Sequence, residues 1–254
     1  MDRFFIPPAN WDPSGKGLVL LDEEAHHCQR VMRKQVGDEI GVFDGAGTWA
    51  RGKITSLGAE IPLEIIELGT TPRPSLEVEL AVGIPKGKTF DLIIQKSVEL
   101  GISRIQPLMT EQGVVRIEKK EAAKKVEKWN RVALEACKQC GQNWLPEVKR
   151  AEDFQSWLPN REGVDRELIA ALTRESVPLR ETLKELKETE NLRILVGPEG
   201  DFSKREYEAT RQAKMSAIQL GQLVLRVETA VIYVLSNLFC HAEGMAMTEE
   251  DGAR

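Results

Sequence analysis

The sequence predicts an α/β fold in two parts: a small, mostly β module, then a larger domain in which strands and helices alternate. Three observations carry this. Thr70-Thr71-Pro72-Arg73-Pro74-Ser75 sets two prolines at alternate positions, which favours an extended linker. Before it, apolar residues alternate at period two in short runs, with no long helical pattern. After it, apolar runs of strand length are interleaved with helical patterns, the order of a domain with a mainly parallel sheet. The expected boundaries are 1–70, a linker over 71–75, and 76–243. The tail over 244–254 is polar and without periodicity, and is expected to fray.

In the first part, Asp22 suits the N-cap of a helix over about 23–33, with Arg33-Lys34 at its C-terminal end. Glu39–Asp44 and Thr48–Ile54 alternate as strands around Gly45-Ala46-Gly47, a hairpin signal, and Leu63–Leu68 reads as a third strand. Together these make a small β barrel with one helix. In the second part, strands are expected over Leu76–Ile84, Arg104–Leu108, Glu167–Leu172, Arg193–Val196 and Ala217–Leu220. Helices are expected over about 89–100, 118–140, 178–188, 204–214 and 229–242.

Composition narrows the function. Of 254 residues, 41% are hydrophobic and 30% charged, which supplies a core and excludes a disordered chain. A net charge of −5 excludes a uniformly basic polyanion binder and leaves room for local basic patches. No apolar run reaches the roughly 18 residues of a membrane span. Met1–Pro8 has no apolar segment of signal-peptide length, so the cytoplasm is the expected location and no membrane partner is expected. The four cysteines are read as thiols. Cys137-x-x-Cys140 lacks a second pair at finger-like spacing, and Cys240-His241 is adjacent, a poor chelate, so no metal site is expected.

Two phosphate-binding signatures fail. No Gly-x-Gly-x-x-Gly follows a strand. Val82–Thr89 resembles a phosphate loop, but Val82 stands where glycine is required and Pro85 removes an amide donor. Two other segments stand out. An apolar run stops at Gly197-Pro198-Glu199-Gly200, at the carboxyl end of a strand, where open α/β sheets bind ligands. Ser203 and Glu206 then form a capping box for the next helix. Further on, Leu220-Gly221 ends a strand, and Arg226 and Glu228 precede Thr229 and an apolar helix, an unusual place for freely solvated charge.

Gly-Pro-Glu-Gly-x-Phe-Ser at 197–203, followed by Leu-Gly-x-x-x-Leu-Arg-x-Glu-Thr-Ala at 220–230, resembles the 16S rRNA (uracil-N3)-methyltransferase family of the SPOUT superfamily. Arg3-Phe4-Phe5, His27 with Val31-Met32-Arg33, Pro85-Lys86-Gly87, Gln95–Gly101, Trp129–Glu135 and Gln139–Gly141 match further family segments in order, over nearly the whole chain. Two positions depart. Asp201 stands where a third glycine is usual, and Glu111-Gln112-Gly113 stands where Glu-Arg-Ser is common.

The resemblance implies an N-terminal PUA-like, RNA-binding barrel and a C-terminal SPOUT α/β methyltransferase domain whose C-terminal part forms a trefoil knot. It implies S-adenosylmethionine as cofactor, held by loops near 171–173, 196–200 and 220–229, with Leu172, Gly197, Gly200, Leu220, Gly221, Leu225, Arg226 and Thr229 as binding residues. It also implies a homodimer and, as substrate, a uridine of 16S rRNA in the small ribosomal subunit. N3 of uracil is a poor nucleophile until it loses its proton, and deprotonation charges the O2 and O4 carbonyls. Arg226 is the candidate to stabilise that charge. Glu199 or Glu228 is the base, or orients Arg226.

RNA contact requires local charge, because residues 1–69 carry seven basic against eleven acidic groups. Arg3, Arg30, Arg33 and Lys34 are the candidates there, with Lys86 and Lys96 in the second part. Arg116–Arg131, with seven basic and three acidic residues, reads equally as a patch or as a solvated helix face. The alternatives are a non-catalytic RNA-binding assembly factor, or a SPOUT enzyme acting on another RNA.

Overall fold

The computed structural model describes residues 1–11, 17–187 and 190–252. The chain forms two compact units: Met1–Arg73 with Leu134–Leu145, and Pro74–Ala133 with the chain from Pro146 onward.

In the first unit, β1 (Arg3–Phe5), β2 (Val19–Leu20), β3 (Glu39–Phe43), β4 (Thr48–Ile54) and β5 (Ile61–Thr70) form a sheet ordered β1-β3-β4-β5-β2. The β1–β3 pair is parallel and the others are antiparallel. The hairpin falls where the glycines place it. Gly45 and Gly47 have φ of +73° and +97°, and the Asp44 carboxylate accepts the amides of Ala46 and Thr48 at 2.7 and 2.9 Å. Phe4, Leu20, Cys28, Ile40, Val42 and Ile61 are among its core residues.

The expected helix over 23–33 is shorter. An α-helix α1 covers Asp22–His26, followed by a π-helical turn over His27–Val31. Asp22 is its first residue rather than its cap, and no side chain caps the turn. Apolar burial ends at Cys28, and Val31 and Met32 face solvent, so nothing tertiary supports further turns.

The larger surprise is Leu134–Leu145, expected within the second domain. Arg3 donates to the carbonyl of Cys137 at 3.2 Å and to the Asn143 side chain, and its guanidinium lies 4.6 Å from the centre of the Phe43 ring. Lys138 pairs with Glu24, and Trp144 Nε1 donates to the Thr71 carbonyl at 3.1 Å. Cys137 is buried, which pushes its thiol up to about 12.

The second unit contains β6 (Glu77–Gly83), α2 (Thr89–Glu99), β7 (Arg104–Met109), α3 (Lys119–Cys140, its last residues in the first unit), β8 (Glu147–Val148), β9 (Glu152–Asp153), α4 (Phe154–Asn160), β10 (Arg166–Ala170), β11 (Val177–Pro178), α5 (Leu179–Leu183), β12 (Asn191–Val196), α6 (Lys204–Gln212), β13 (Ser216–Gln219) and α7 (Val227–Gly252). The sheet runs β11-β13-β10-β12-β6-β7-β8, with β9 also on β7, and every pairing is parallel. The five expected strands all form. Of the helix expected over 178–188, only Leu179–Leu183 is helical, and residues 188–189 lie outside the described residues. The tail expected to fray is part of α7, which runs to Gly252. Residues 253–254 lie outside the described residues.

A row of alternating charge crosses this sheet. Glu167, Arg193, Glu79 and Arg104 are register partners on β10, β12, β6 and β7. Arg193 is 1% exposed and donates to Glu79 at 2.7 Å and to Glu167 at 2.5 Å. Arg161 also pairs with Glu167, and Arg104 with Glu79 at 3.3 Å. Burial acts to raise the Glu167 carboxyl, but hydrogen bonds from Arg161 and Arg193 prevail and hold it below its ordinary value.

Arg193→Met should leave the buried Glu79 with only its 3.3 Å contact to half-buried Arg104 and cost about 3–5 kcal/mol in urea unfolding. A loss below about 1 kcal/mol would show that the row is not what stabilises the sheet. A depressed carboxyl contributes stability above its unfolded pKa, and loses it as pH falls through the lower folded value. Between about pH 7 and about pH 3, Glu167→Gln should therefore lose less stability than the parent. Parallel pH profiles would contradict this.

Candidate active site

Three adjacent strands, β13, β10 and β12, end at the same edge of the sheet. The segments leaving them, 170–172, 196–201 and 220–227, wall a cavity of about 320 Å³, completed by Tyr207 of α6 and Ala230 of α7. Apolar side chains make most of the wall, among them Val196, Pro198, Leu223, Val224 and Val227.

Close packing shapes the turn after β12. Pro198 lies directly on Gly83 at the end of β6, where a Cβ would stand 2.5 Å from the proline Cδ. At Gly200 a Cβ would meet the Gln112 carbonyl oxygen at 3.1 Å. The Asp201 amide returns to the Pro198 carbonyl at 2.9 Å, and Asp201 has φ +60°. This is left-handed backbone, which glycine adopts freely and aspartate and asparagine tolerate best among other residues. Asp201 Oδ1 accepts the Phe202 amide at 2.8 Å and the Tyr207 hydroxyl at 2.7 Å. Burial first, and that hydrogen bond second, raise the Tyr207 phenol above its ordinary value, so it remains a proton donor.

The expected capping box is present. Ser203 Oγ accepts the Glu206 amide at 3.2 Å, and Glu206 Oε2 accepts the Ser203 amide at 2.8 Å. Glu206 is fully buried, and its other oxygen accepts the Glu111 amide at 2.8 Å, tying the 110–113 loop to the start of α6. Gln112 serves here through its backbone carbonyl, so its side-chain identity does not affect this contact.

Of the expected cofactor residues, Leu172, Gly197, Leu220, Leu225 and Arg226 line the cavity, as does Glu199. Gly200 and Gly221 lie outside the lining, the former against Gln112 and the latter at φ +144° with open space around it. Thr229 and Glu228 are in the first turn of α7, also outside the lining. Glu199 Oε1 accepts the Lys86 amide at 3.0 Å and so holds the loop after β6. Arg226 is exposed and has no ion pair with Glu228, or with any other carboxylate among the described residues. Asp201, Tyr207 and Gly83 were not expected. The glycine usual at 201 was the one local signal of left-handed backbone there, whereas a contact across 115 residues, Gly83 with Pro198, leaves no local pattern.

The basic candidates divide. Arg30 and Arg33 are exposed, and Arg33 has φ +53°. Lys34 pairs with Asp2 at 2.6 Å, and Arg3 is engaged inside its unit. Lys86 has an exposed side chain, whereas Lys96 pairs with Glu99 at 2.7 Å. In the 116–131 run, Lys128 pairs with Asp91 of α2, Lys120 with Glu118 and Arg131 with Glu127.

Gly83→Ala should force Pro198 off the sheet edge and cost about 1–3 kcal/mol of stability by chemical denaturation. Unchanged stability would mean that the two backbones are not in close contact.

Comparison with known proteins agrees with this geometry. A family model described as an RNA methyltransferase domain matches residues 71–239, and one described as an RNA methyltransferase PUA domain matches residues 20–66. Ribosomal RNA small subunit methyltransferase E of Bacillus subtilis is 31% identical over 250 residues, covering 96% of this chain and 98% of the relative. A methyltransferase of Legionella pneumophila, solved with bound S-adenosylmethionine, superposes with a TM-score of 0.83 at 30% identity over 94% of this chain and 96% of its own. The Neisseria gonorrhoeae ribosomal RNA small subunit methyltransferase E, bound to S-adenosylmethionine, superposes with a TM-score of 0.82 at 28% identity over 94% and 96%. The cavity at the strand ends, the PUA-like first unit and these likenesses together place the chain in the ribosomal RNA small subunit methyltransferase E family, within the SPOUT superfamily.

Proposed function

We propose that this chain transfers the methyl group of S-adenosylmethionine to N3 of a uridine in 16S ribosomal RNA. The observation that carries the reading is the cavity where β10, β12 and β13 end, with apolar walls and one unpaired guanidinium, Arg226. Its chemistry fits the cofactor. About 320 Å³ lies within the usual range for small-molecule sites. Gly197 in the wall brings backbone to the ligand, and backbone groups beside apolar side chains suit an adenine ring. Leu172, Gly197, Leu220 and Leu225 would hold it. When bound, it supplies a methyl group on a sulfonium.

The remaining work belongs to the protein. Arg226 stabilises the negative charge that forms on the uracil carbonyls as N3 loses its proton, and holds the base in line for attack. Glu199 lines the cavity with Oε1 bonded to the Lys86 amide and Oε2 unbonded among the described residues, and Glu228 lies outside the lining in the first turn of α7; these are the two candidate bases. Glu228 is half-buried, two residues from Arg226, with no hydrogen-bond partner among the described residues. Its lack of an ion pair with Arg226 leaves the guanidinium free for substrate. Arg30, Arg33 and Lys86 offer exposed positive charge to RNA phosphates, whereas Arg3, Lys34 and Lys96 are held by partners of their own. The reading includes the trefoil knot and homodimer of the family, and the cytoplasm as the place where small subunits are modified.

A non-catalytic role draws its motive from Asp201 and Gln112. Asp201 holds its left-handed backbone with two hydrogen bonds and so does not distort the turn, whereas Gln112 removes a positive charge from the surface offered to RNA. With labelled S-adenosylmethionine and undermethylated small subunits, digestion should yield 3-methyluridine. Arg226→Ala should lower turnover by about 10²–10³-fold while RNA and cofactor binding persist. Methyl on any other atom overturns the reaction, and undiminished turnover overturns the role of Arg226.

A further inference from the structure

We propose that Asp201 binds the α-ammonium group of the cofactor's amino-acid portion, an inference that rests on the cavity being the site of S-adenosylmethionine. Asp201 lines the cavity beside Tyr207 and Gly197. Its Oδ1 is held by the Phe202 amide and the Tyr207 hydroxyl, at 2.8 and 2.7 Å. The same atom lies 3.1 Å from the point where a Cβ on Gly197 would stand, so the carboxylate is fixed over the glycine of the wall. Oδ2 has no hydrogen-bond partner among the described residues. The other carboxylate of the lining, Glu199, is already bonded to the Lys86 amide.

The cavity therefore presents two carboxylates in a largely apolar wall, of which Asp201 is the one held by two hydrogen bonds on a single oxygen, leaving its Oδ2 prepositioned. The ligand carries a sulfonium, an ammonium and a carboxylate, for a net positive charge. A carboxylate oxygen pairs most strongly with a charged donor, and the ammonium is the charged donor this ligand offers. The sulfonium has no proton to donate, and ribose hydroxyls and the adenine amino group are neutral. The left-handed backbone at 201 is where a glycine would fold without strain. A side chain kept there at a steric cost, bonded twice and facing a cavity, marks a site of function rather than of packing. Tyr207 is the positioning residue: its phenol orients the carboxylate.

The test is calorimetric titration of the full chain with S-adenosylmethionine, S-adenosylhomocysteine and 5′-methylthioadenosine, the last lacking the amino-acid portion. Asp201→Asn keeps the Oδ1 acceptor and tolerates positive φ, but replaces the free oxygen with an amide donor. It should weaken the first two ligands about ten-fold or more and leave the third unchanged, with the thermal transition unmoved. Tyr207→Phe should weaken the same two ligands by a smaller factor. Unchanged or tighter S-adenosylmethionine binding in Asp201→Asn overturns the assignment. Equal weakening of 5′-methylthioadenosine also overturns it, because the contact would then be to the nucleoside. Failure of the parent chain to bind any of the three overturns the cofactor reading itself, a result separable from failure of the variant alone.

Discussion

A carboxylate with no ion pair holds the functional edge of this protein together. Glu206 is fully buried, and no cation pairs with it among the described residues. Burying a charge is costly unless hydrogen bonds replace its water. Here the Ser203 and Glu111 amides do so, at the N-terminus of α6, where the helix dipole favours negative charge. One oxygen closes the helix cap and the other reaches a loop 95 residues earlier in the chain. The turn from β12 is therefore fixed at both ends, by Glu206 beyond it and by Pro198 on Gly83 within it. The cavity wall follows from these two constraints.

Strand β12 links stability to function. Near its start, Arg193 joins a row of alternating charges across four strands. At its end, Val196 and Gly197 form the wall of the cavity. The row lies within the sheet, and Gly197 lies just beyond the end of β12. The strands can then end together at one edge while the turns beyond them keep the close backbone approaches that a ligand needs. The buried guanidinium of the row, Arg193, and the one that lines the cavity, Arg226, differ in this respect. The first has its charge met by two carboxylates, and the second has none among the described residues.

Local signals in the sequence were reliable where the physics is local. Alternation placed the β3–β4 hairpin, and glycines at 45 and 47 marked its left-handed turn. Ser203 and Glu206, three residues apart, announced a capping box that is present. Motif resemblance directed attention to 197–200 and 220–229, and most of the residues it named line one cavity. What was not legible depends on distant partners. Nothing near Leu134–Leu145 signals that Arg3, Glu24 and Thr71 will claim it. Arg3 was named for RNA contact as one of the few basic residues of an acidic module, yet its hydrogen-bond partners lie more than 130 residues away. Asp201 read as a departure from a glycine pattern, and only its hydrogen bonds to Phe202 and Tyr207 explain how it is tolerated.

The central claim is that the edge where β10, β12 and β13 end is the cofactor site. Amide hydrogen exchange with and without S-adenosylmethionine tests it directly, because each segment reports separately. Bound ligand should slow exchange at 170–172, 196–201 and 220–227 and leave Met1–Arg73 unchanged. Protection confined to other segments, or absent from all three while the ligand is bound, would contradict it.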